Sequence, residues 1–162
     1  MGSGKSTVGP MVASFLGMRY VELDKEVEKL AGTKIKDIFE KHGEFYFREL
    51  ESKALNRALS GRGRVLSCGG GVIMNEENVR ILRSRSLVIL LWISLETAIT
   101  RLQGCTDRPL VSGKGEERIL RLYRQREKFY IGAAHRVVKA EGRSPMEVAE
   151  EIIAIWKDSW WN

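Results

Sequence analysis

The chain has 162 residues, of which 43 % are apolar and 30 % charged, and its net charge is +6. This length predicts a single domain over residues 1–162 with one core. No apolar run approaches the ~20 residues that span a bilayer, and no signal peptide comes before the first motif, so we expect a cytoplasmic protein without a membrane partner. The basic residues are interspersed with acidic ones, which favours small anionic ligands over nucleic acid.

The first element of the chain is a glycine-rich stretch, Gly2–Thr7. Its sequence, Gly-Ser-Gly-Lys-Ser-Thr, matches the second half of a phosphate-binding (Walker A) loop. Gly2 and Gly4 have no Cβ, so the backbone N–H groups of the loop can approach phosphate oxygens. Lys5 supplies a positive charge for the β- and γ-phosphates, and the Ser6 hydroxyl is a suitable ligand for Mg²⁺.

Two further observations bear on this interpretation. The full loop pattern includes another glycine and a buried strand upstream, and the first seven residues contain neither, so we expect the first, central strand of the sheet to be missing or cut short. A flexible linker left by cloning would have a similar composition. The helix predicted over residues 7–17 argues against a linker, because Pro10 lies in its first turns, where proline is tolerated, and a glycine ends it.

The region from residue 18 to residue 60 combines one strand with amphipathic helices. The strand is predicted over residues 18–22. The predicted helices are 25–30, 34–42 and 44–60. Gly32 and Gly43 separate these helices, because glycine favours the backbone conformations that end a helix.

Three consecutive glycines mark the next region. The predicted strand over residues 64–67 runs almost directly into Gly69, Gly70 and Gly71. Ligands of open α/β folds bind at the carboxyl edge of the sheet, so bare backbone there favours a ligand-binding loop over a flexible turn. The other predicted elements of this region are a helix over 76–84 capped by Asn75, a strand over 86–92, and a helix over 95–102 capped by Ser94.

The last third of the chain begins with a polar, glycine-dotted segment over residues 103–116. Its length makes it a candidate lid. The predicted elements after it are a helix over 117–133, a strand over 136–139 and a helix over 145–157. Strands and helices therefore alternate along the chain, which predicts an α/β fold with a doubly wound parallel sheet and helices on both faces.

Six short motifs occur in a defined order along nearly the whole chain. They are Gly-Ser-Gly-Lys-Ser-Thr at 2–7, Glu-Leu-Asp at 22–24, Gly-Glu-x-x-Phe-Arg-x-x-Glu at 43–51, Gly-Gly-Gly at 69–71, Arg-Pro-Leu at 108–110 and Arg-x-x-x-Tyr at 126–130. As an ordered set they resemble the shikimate kinase family, in the nucleoside-monophosphate-kinase-like branch of the P-loop folds. The resemblance implies a three-layer P-loop NTPase fold whose helical region, about 24–60, binds the substrate.

The resemblance also implies the reaction and its ligands. The expected activity is ATP-dependent phosphorylation of shikimate to shikimate 3-phosphate, in the pathway to chorismate and aromatic amino acids. The expected cofactors are ATP and Mg²⁺, and the expected state is a monomer that binds small molecules and no nucleic acid.

Residue roles follow from the same resemblance. Asp24 would orient the attacking hydroxyl or take its proton, while Lys5 and the lid residue Arg108 would neutralise charge on the transferred phosphoryl group. The residues implied to bind ATP are Gly2, Ser3, Gly4, Lys5, Ser6, Thr7, Arg101, Arg108, Arg143 and Pro145. The residues implied to bind shikimate are Asp24, Phe39, Phe47, Arg48, Gly69, Gly70, Gly71 and Arg126. Arg48 and Arg126 would clamp the substrate carboxylate, and Glu51 would hold Arg48 in place.

The metal ligands implied are Ser6 and Glu22, and here the chain departs from the family pattern. The family usually has Asp-x-Asp where this chain has Glu-Leu-Asp, so the carboxylate of Glu22 extends one methylene further and would reach Mg²⁺ directly or through water. Taken singly, Asp24 could be a helix cap and Arg126 part of a solvated basic face. Two other functions stay open: a kinase for another hydroxy acid such as gluconate, and a non-catalytic binder of shikimate or nucleic acid, because the phosphate loop is truncated.

Overall fold

The helices and strands alternate along the chain in a computed structural model that describes residues 2–102 and 115–159. The elements in chain order are α1 (Lys5–Phe15), β1 (Arg19–Glu22), α2 (Leu23–Ala31), α3 (Ile35–Leu59), β2 (Arg64–Ser67), a 3₁₀ turn (Val72–Met74), α4 (Glu76–Arg85), β3 (Ile89–Trp92), α5 (Leu95–Leu102), α6 (Gly115–Ala133), β4 (Arg136–Lys139) and α7 (Pro145–Asp158). Over these two ranges, none of the helices has the length and apolar character needed to cross a bilayer.

The breaks between elements follow local backbone chemistry. The two helices predicted on either side of Gly43 join into α3, but Gly43 itself has φ 78° and ψ −179°, so the predicted break is confirmed as a kink. Gly32, with φ 67°, ends α2 in the left-handed conformation that glycine favours. Asn75 caps α4 as predicted, since its side chain accepts hydrogen bonds from the N–H groups of Glu77 and Asn78.

Strand β3 is shorter than the sequence predicted. The prediction began at Ser86, but the Ser86 N–H and hydroxyl both donate to the carbonyl of Leu82, which ends α4 there. Val88 bonds instead to His135, whose Nδ1 accepts from the Val88 N–H at 3.0 Å. The residues before Ile89 are therefore used for capping and for a long-range contact, and regular pairing begins only at Ile89.

The strands form two parallel pairs. β1 pairs with β2, with Arg19 opposite Arg64, and β3 pairs with β4, with Ile89 opposite Arg136. In the part of the chain that the structure describes, these are separate two-stranded sheets, and no strand lies between β2 and β3. Parallel pairing is as predicted, and the separation agrees with the expectation that a central strand would be missing.

Two apolar clusters form the core on either side of this division. The first packs α2 and α3 against the 3₁₀ turn and includes the fully buried Leu23, Val27 and Leu55. The second packs α1 and α7 against β3 and β4, with Val138 buried at its centre. Each fully buried aliphatic side chain contributes roughly 1.5–3 kcal/mol relative to exposure. The helices are therefore fixed against the strands whose ends carry the site.

The carboxyl ends of β1 and β2 meet at one edge. Glu22 lies opposite Ser67 in the parallel register, so the residues that follow each strand lie side by side. Asp24 follows β1 in the first turn of α2, and Gly69 follows β2. This edge is where open α/β sheets bind their ligands.

Candidate active site

A cavity of about 290 Å³ lies at the carboxyl edge of β1 and β2, and we call it the site cavity. It is lined by Gly2, Ser3, Gly4, Lys5, Ser6, Glu22, Asp24, Ile35, Phe39, Phe47, Arg48, Glu51, Ser67, Cys68, Gly69, Gly70, Gly71, Arg101, Leu122 and Arg126. The glycine-rich loop, the carboxylate after β1, the triple glycine and two arginines from different helices therefore converge on one space.

The glycine-rich loop has a conformation that its glycines permit. Gly2 and Gly4 have φ 64° and 86°, in the left-handed region that other residues rarely adopt. The carbonyl of Gly4 accepts the N–H of Thr7 at 3.0 Å, which starts α1. Arg101, on α5, donates to the carbonyl of Gly2 at 3.2 Å. The loop is thus held at both ends next to the N-terminus of α1, where unpaired N–H groups and the helix dipole favour an anion.

Lys5 places its ammonium over the same loop. Its Nζ lies 3.5 Å from the hydroxyl of Ser3, whose residue is only 5 % exposed. Ser6, the next residue of α1, also lines the cavity. A cation, a hydroxyl and a helix N-terminus therefore face one region of the cavity, which suits a polyphosphate.

Asp24 lies against the backbone of the triple glycine. A methyl group built on Gly69 would lie 3.0 Å from Oδ1 of Asp24 and 3.6 Å from Oε1 of Glu51. Glycine at this position therefore lets two carboxylates approach the loop that follows β2. The sequence prediction that bare backbone borders the site is consistent with this contact.

Arg48 is held by two carboxylates of its own helix. Its Nη1 donates to Glu51 at 2.7 Å, and its Nη2 donates to Glu44 at 2.8 Å. Its guanidinium lies 5.0 Å from the ring centroid of Phe47, and that ring lies 4.8 Å from the ring of Phe39. The arginine expected to bind the substrate is therefore fixed from three sides before any ligand arrives.

The electrostatics of the cavity centre on buried charges. Glu51 is 1 % exposed, and burial raises its pKa, an effect that Asp24 increases and that Arg48 and Arg126 oppose. Arg126, on α6, is 8 % exposed. Because charged side chains this deeply buried are rare unless paired, the site is built to hold its cations in fixed positions.

Comparison with known proteins gives the family. The family model described as shikimate kinase matches residues 1–157 of the chain. The chain belongs to the shikimate kinase family. The resemblance inferred from the six motifs is thereby confirmed, and with it the phosphotransferase class.

Relatives and solved structures agree with this membership. A shikimate kinase of Persephonella marina is 44 % identical over 153 residues, covering 94 % of this chain and 92 % of the relative. The solved shikimate kinase of Acinetobacter baumannii in complex with shikimate has a TM-score of 0.93 at 32 % identity, covering 98 % of this chain and 89 % of that one. The shikimate kinase structure from Aquifex aeolicus has a TM-score of 0.85 at 36 % identity, covering 98 % and 93 %. The predicted P-loop NTPase fold class is confirmed.

Most of the residues assigned through the shikimate kinase resemblance lie in the site cavity, but a few do not. Thr7, Arg143 and Pro145 do not line it, and their part in ATP binding stays a prediction. Arg143 instead pairs with Glu151 and donates to the carbonyls of Lys139 and Glu147. Arg108 and the predicted lid up to residue 114 lie outside the described residues.

Three site-related residues received no role from the sequence. Tyr130 donates its hydroxyl to the carbonyl of Gly70 at 3.0 Å, and so ties α6 to the triple glycine. It follows Arg126 by one helical turn, and that spacing is the signal that could have identified it. Glu44 precedes Arg48 by one turn and pairs with it. Cys68 gave no signal beyond lying next to Gly69, and burial raises its pKa to about 12.

The metal ligands assigned to the shikimate kinase site fit a magnesium ion bound together with phosphates. Within the described ranges, no group of three His, Cys, Asp or Glu side chains could hold a metal alone. Ser6 and Glu22 both line the site cavity, and Glu22 also pairs with Lys25 at 3.2 Å. Mg²⁺ commonly takes one or two protein oxygens and completes its shell with water and substrate phosphates, so this donor set suits it.

Proposed function

We propose that this chain transfers the γ-phosphoryl group of ATP to a hydroxyl of shikimate, forming shikimate 3-phosphate and ADP. The observation that supports this most strongly is the meeting of Lys5, Asp24, Arg48 and Arg126 in one cavity. A phosphate loop alone would support only nucleotide binding. A carboxylate and two fixed arginines beside it supply what an acceptor with a hydroxyl and a carboxylate needs.

The phosphate side of the reaction rests on the glycine-rich loop. Its backbone and the N-terminus of α1 would bind the β- and γ-phosphates, and Lys5 would supply charge to them. Ser6 and Glu22 would hold Mg²⁺, which when bound neutralises phosphate charge. Arg108, by the resemblance, would add a second cation at the transferred group. Phosphoryl transfer depends mainly on such positioning and charge neutralisation.

The acceptor side rests on the two arginines. Arg48 is oriented in advance by Glu51 and Glu44. Arg126 is buried on α6 and lines the same cavity. A guanidinium presents paired N–H donors that match the two oxygens of a carboxylate. The rings of Phe39 and Phe47 would pack against the carbon ring of the acceptor.

Asp24 would act on the attacking hydroxyl. It lies against Gly69 and lines the same cavity as the phosphate loop, so a hydroxyl held by the arginines would face the γ-phosphate there. The hydroxyl oxygen forms a bond to the γ-phosphorus as the bond from that phosphorus to the ADP oxygen breaks, and the hydroxyl proton passes to the Asp24 carboxylate. Glu51, the partner of Arg48, is buried, so water is excluded from that part of the site and transfer to the bound hydroxyl is favoured over transfer to water.

An acceptor panel tests the proposal directly. ADP release would be measured with shikimate, with gluconate and with no acceptor, for the wild-type chain and for Lys5→Ala. We expect release that depends on shikimate and that is abolished in the variant. A preference for gluconate would identify a different hydroxy-acid kinase, and calorimetry that detects no ATP·Mg²⁺ binding to the folded chain would indicate a non-catalytic binder. Sedimentation of the same sample tests the proposed monomer.

A further inference from the structure

A separate cavity, of about 390 Å³, lies at the amino ends of β1 and β2, and we call it the basic cavity. The parallel register places Arg19 opposite Arg64 at this end, and Glu22 opposite Ser67 at the other end, beside the site cavity. A strand rises about 3.3 Å per residue, so the two ends are about 10 Å apart. Among the described residues, none lines both cavities. The basic cavity is therefore distinct from the candidate active site.

Two helices close the basic cavity because the chain returns to the amino ends of the strands. α2 begins directly after β1, and Lys29 near its end lines the same cavity as Arg19, so the helix runs back along the strand. α3 ends a few residues before β2 begins, and its last turns contribute Arg57 and Ala58. The cavity is thus built from both strands and from both of the helices that carry the acceptor side of the active site.

Cations dominate the lining of this cavity. Of the described residues that line it, four are basic, namely Arg19, Lys29, Arg57 and Arg64, and one is acidic, namely Glu26. Arg19 and Arg64 are direct partners on neighbouring strands, which lie about 4.8 Å apart. Like charges placed opposite each other on neighbouring strands destabilise the pairing. An anion bound between these two arginines would reverse that effect.

The guanidinium of Arg64 is held in place before any ligand binds. Its Nη1 donates to the carbonyl of Ala58 at 2.9 Å. A methyl group built on Gly61 would lie 2.2 Å from the same guanidinium, so the arginine packs directly over the bare backbone of that turn. Because a guanidinium has several N–H donors in one plane, a group fixed in this way can also bind an anion.

Glu26 reports the electrostatic field inside the basic cavity. Its carboxylate accepts a hydrogen bond from the ammonium of Lys29 at 2.6 Å. This hydrogen bond lowers the pKa of Glu26, and the charges of Lys29, Arg19 and Arg57 lower it further. Cations from a strand and from both helices therefore stabilise a negative charge at this place, and they outnumber the one carboxylate among the described lining residues.

We propose that the basic cavity binds a small molecule that carries two phosphate groups. Its volume lies in the range of small-molecule pockets. A phosphate group carries about 1.5–2 negative charges at neutral pH, more than a carboxylate does, so two phosphates match cations that outnumber the acid. Arg19 and Arg64 would bind one phosphate through paired N–H donors, and Arg57 and Lys29 would bind the other. This site does not rest on the proposed function, because it shares no described lining residue with the site cavity.

Calorimetry with inorganic pyrophosphate tests the site, at about 0.15 M NaCl and without divalent metal, ATP or shikimate. Because pyrophosphate can also bind the phosphate loop, each titration is repeated in Lys5→Ala. We expect a Kd of about 1 mM or tighter that remains in Lys5→Ala, and weaker binding of citrate, whose anionic groups are all carboxylates. Pyrophosphate should also shift the backbone amide resonances of residues 19–21 and 64–65.

Charge variants with opposite expected effects locate the binding. Arg57→Gln should weaken pyrophosphate binding about fivefold or more, as for loss of a charged hydrogen bond. Glu26→Gln removes the acid of the cavity and should strengthen binding about two- to fivefold. The control is Arg80→Gln, at an exposed arginine of α4 that does not line the cavity, and it should change nothing.

Several outcomes would overturn the proposal. Loss of all pyrophosphate binding in Lys5→Ala would assign the binding to the phosphate loop. Equal effects of Arg57→Gln and Arg80→Gln, or weaker binding in Glu26→Gln, would show a general attraction to a basic protein. A preference for citrate would refute the phosphate chemistry. Shikimate-dependent ADP release is measured separately, so failure of the proposed function would leave these results unchanged.

Discussion

At the scale of single residues, Asp24 combines a position at a helix start with contact to the triple glycine. Its carboxylate is proposed to take a proton, so Asp24→Asn removes a function that the nucleotide does not need. We expect kcat to fall by roughly 10²–10⁴-fold, the usual range for loss of a general base. Affinity for ATP, measured by calorimetry, should change little. An equal loss of ATP affinity would instead place Asp24 at the nucleotide.

Arg48 has one buried and one exposed partner, which allows a matched comparison. Glu51 has 2 % side-chain exposure, and Glu44 has 55 %. Glu51→Gln should raise KM for shikimate and lower the free energy of unfolding by about 1–3 kcal/mol. The reason is that it removes the buried negative charge that pairs with Arg48. Glu44→Gln, at an exposed pair, should cost no more than about 0.5 kcal/mol. Similar effects of the two changes on KM would contradict the positioning role of Glu51.

Arg126 offers a second matched pair on one helix, since Arg126 is buried and Arg124 is exposed. Arg126→Ala should weaken shikimate binding by about 10- to 150-fold, as expected for loss of a charged hydrogen bond of roughly 1.5–3 kcal/mol. Arg126→Lys should restore only part of it, because an ammonium lacks the planar fork. Arg124→Ala should have little effect. Unchanged shikimate affinity in Arg126→Ala would remove the main support for a carboxylate-bearing acceptor.

At the scale of elements, the start of the β3–β4 pair depends on a neutral histidine. Nδ1 of His135 accepts the Val88 N–H at 3.0 Å, and the imidazolium cannot accept it. Burial lowers the pKa of His135 below its ordinary 6.5, and Arg83 and Arg136 lower it further. The stability that comes from this contact is therefore complete above pH 6.5 and is lost as pH falls through the lowered folded-state pKa.

Unfolding measured between pH 5 and pH 8 tests that contact. We expect the wild-type chain to lose stability on acidification, and His135→Gln to show a flatter profile in this range. The control is His42→Gln, because His42 is the other histidine of the chain and is exposed. A steep acid loss that persists in His135→Gln would show that another group is responsible.

The bounds of several elements could be predicted because their signals are local. Gly43 marks the kink of α3 and Asn75 caps α4, so in both cases the residue that gives the signal lies at the boundary itself. Strands β2 and β4 also have the predicted bounds. The start of β3 could not be predicted, because it depends on a contact between Val88 and His135, far apart in sequence. The same limit applies to Tyr130, whose partner Gly70 belongs to another element.

At the scale of the whole molecule, most of the site could be inferred only because a set of motifs resembled a family. Each residue alone had a simpler explanation. Arg48 and Glu51, for example, could form an ion pair within one helix, and they do form it. What the sequence could not show is that this pair closes a cavity shared with Lys5 and Asp24, since no periodicity brings those segments together. Their meeting depends on the parallel register of β1 and β2.

The division into two strand pairs has a consequence for cooperativity. Along the chain, α2 and α3 lie between the paired strands β1 and β2, and α5 and α6 lie between β3 and β4. Each strand pair is associated with its own apolar cluster. Units of this kind open separately when little binds them together. We expect native-state hydrogen exchange in low denaturant to resolve two sets of amides with distinct opening free energies. Helix α1, which begins at the phosphate loop, packs against β1 and β2 as well as against α7. The loop would then lie at the boundary between the two sets, so that catalysis requires both units to be closed at once.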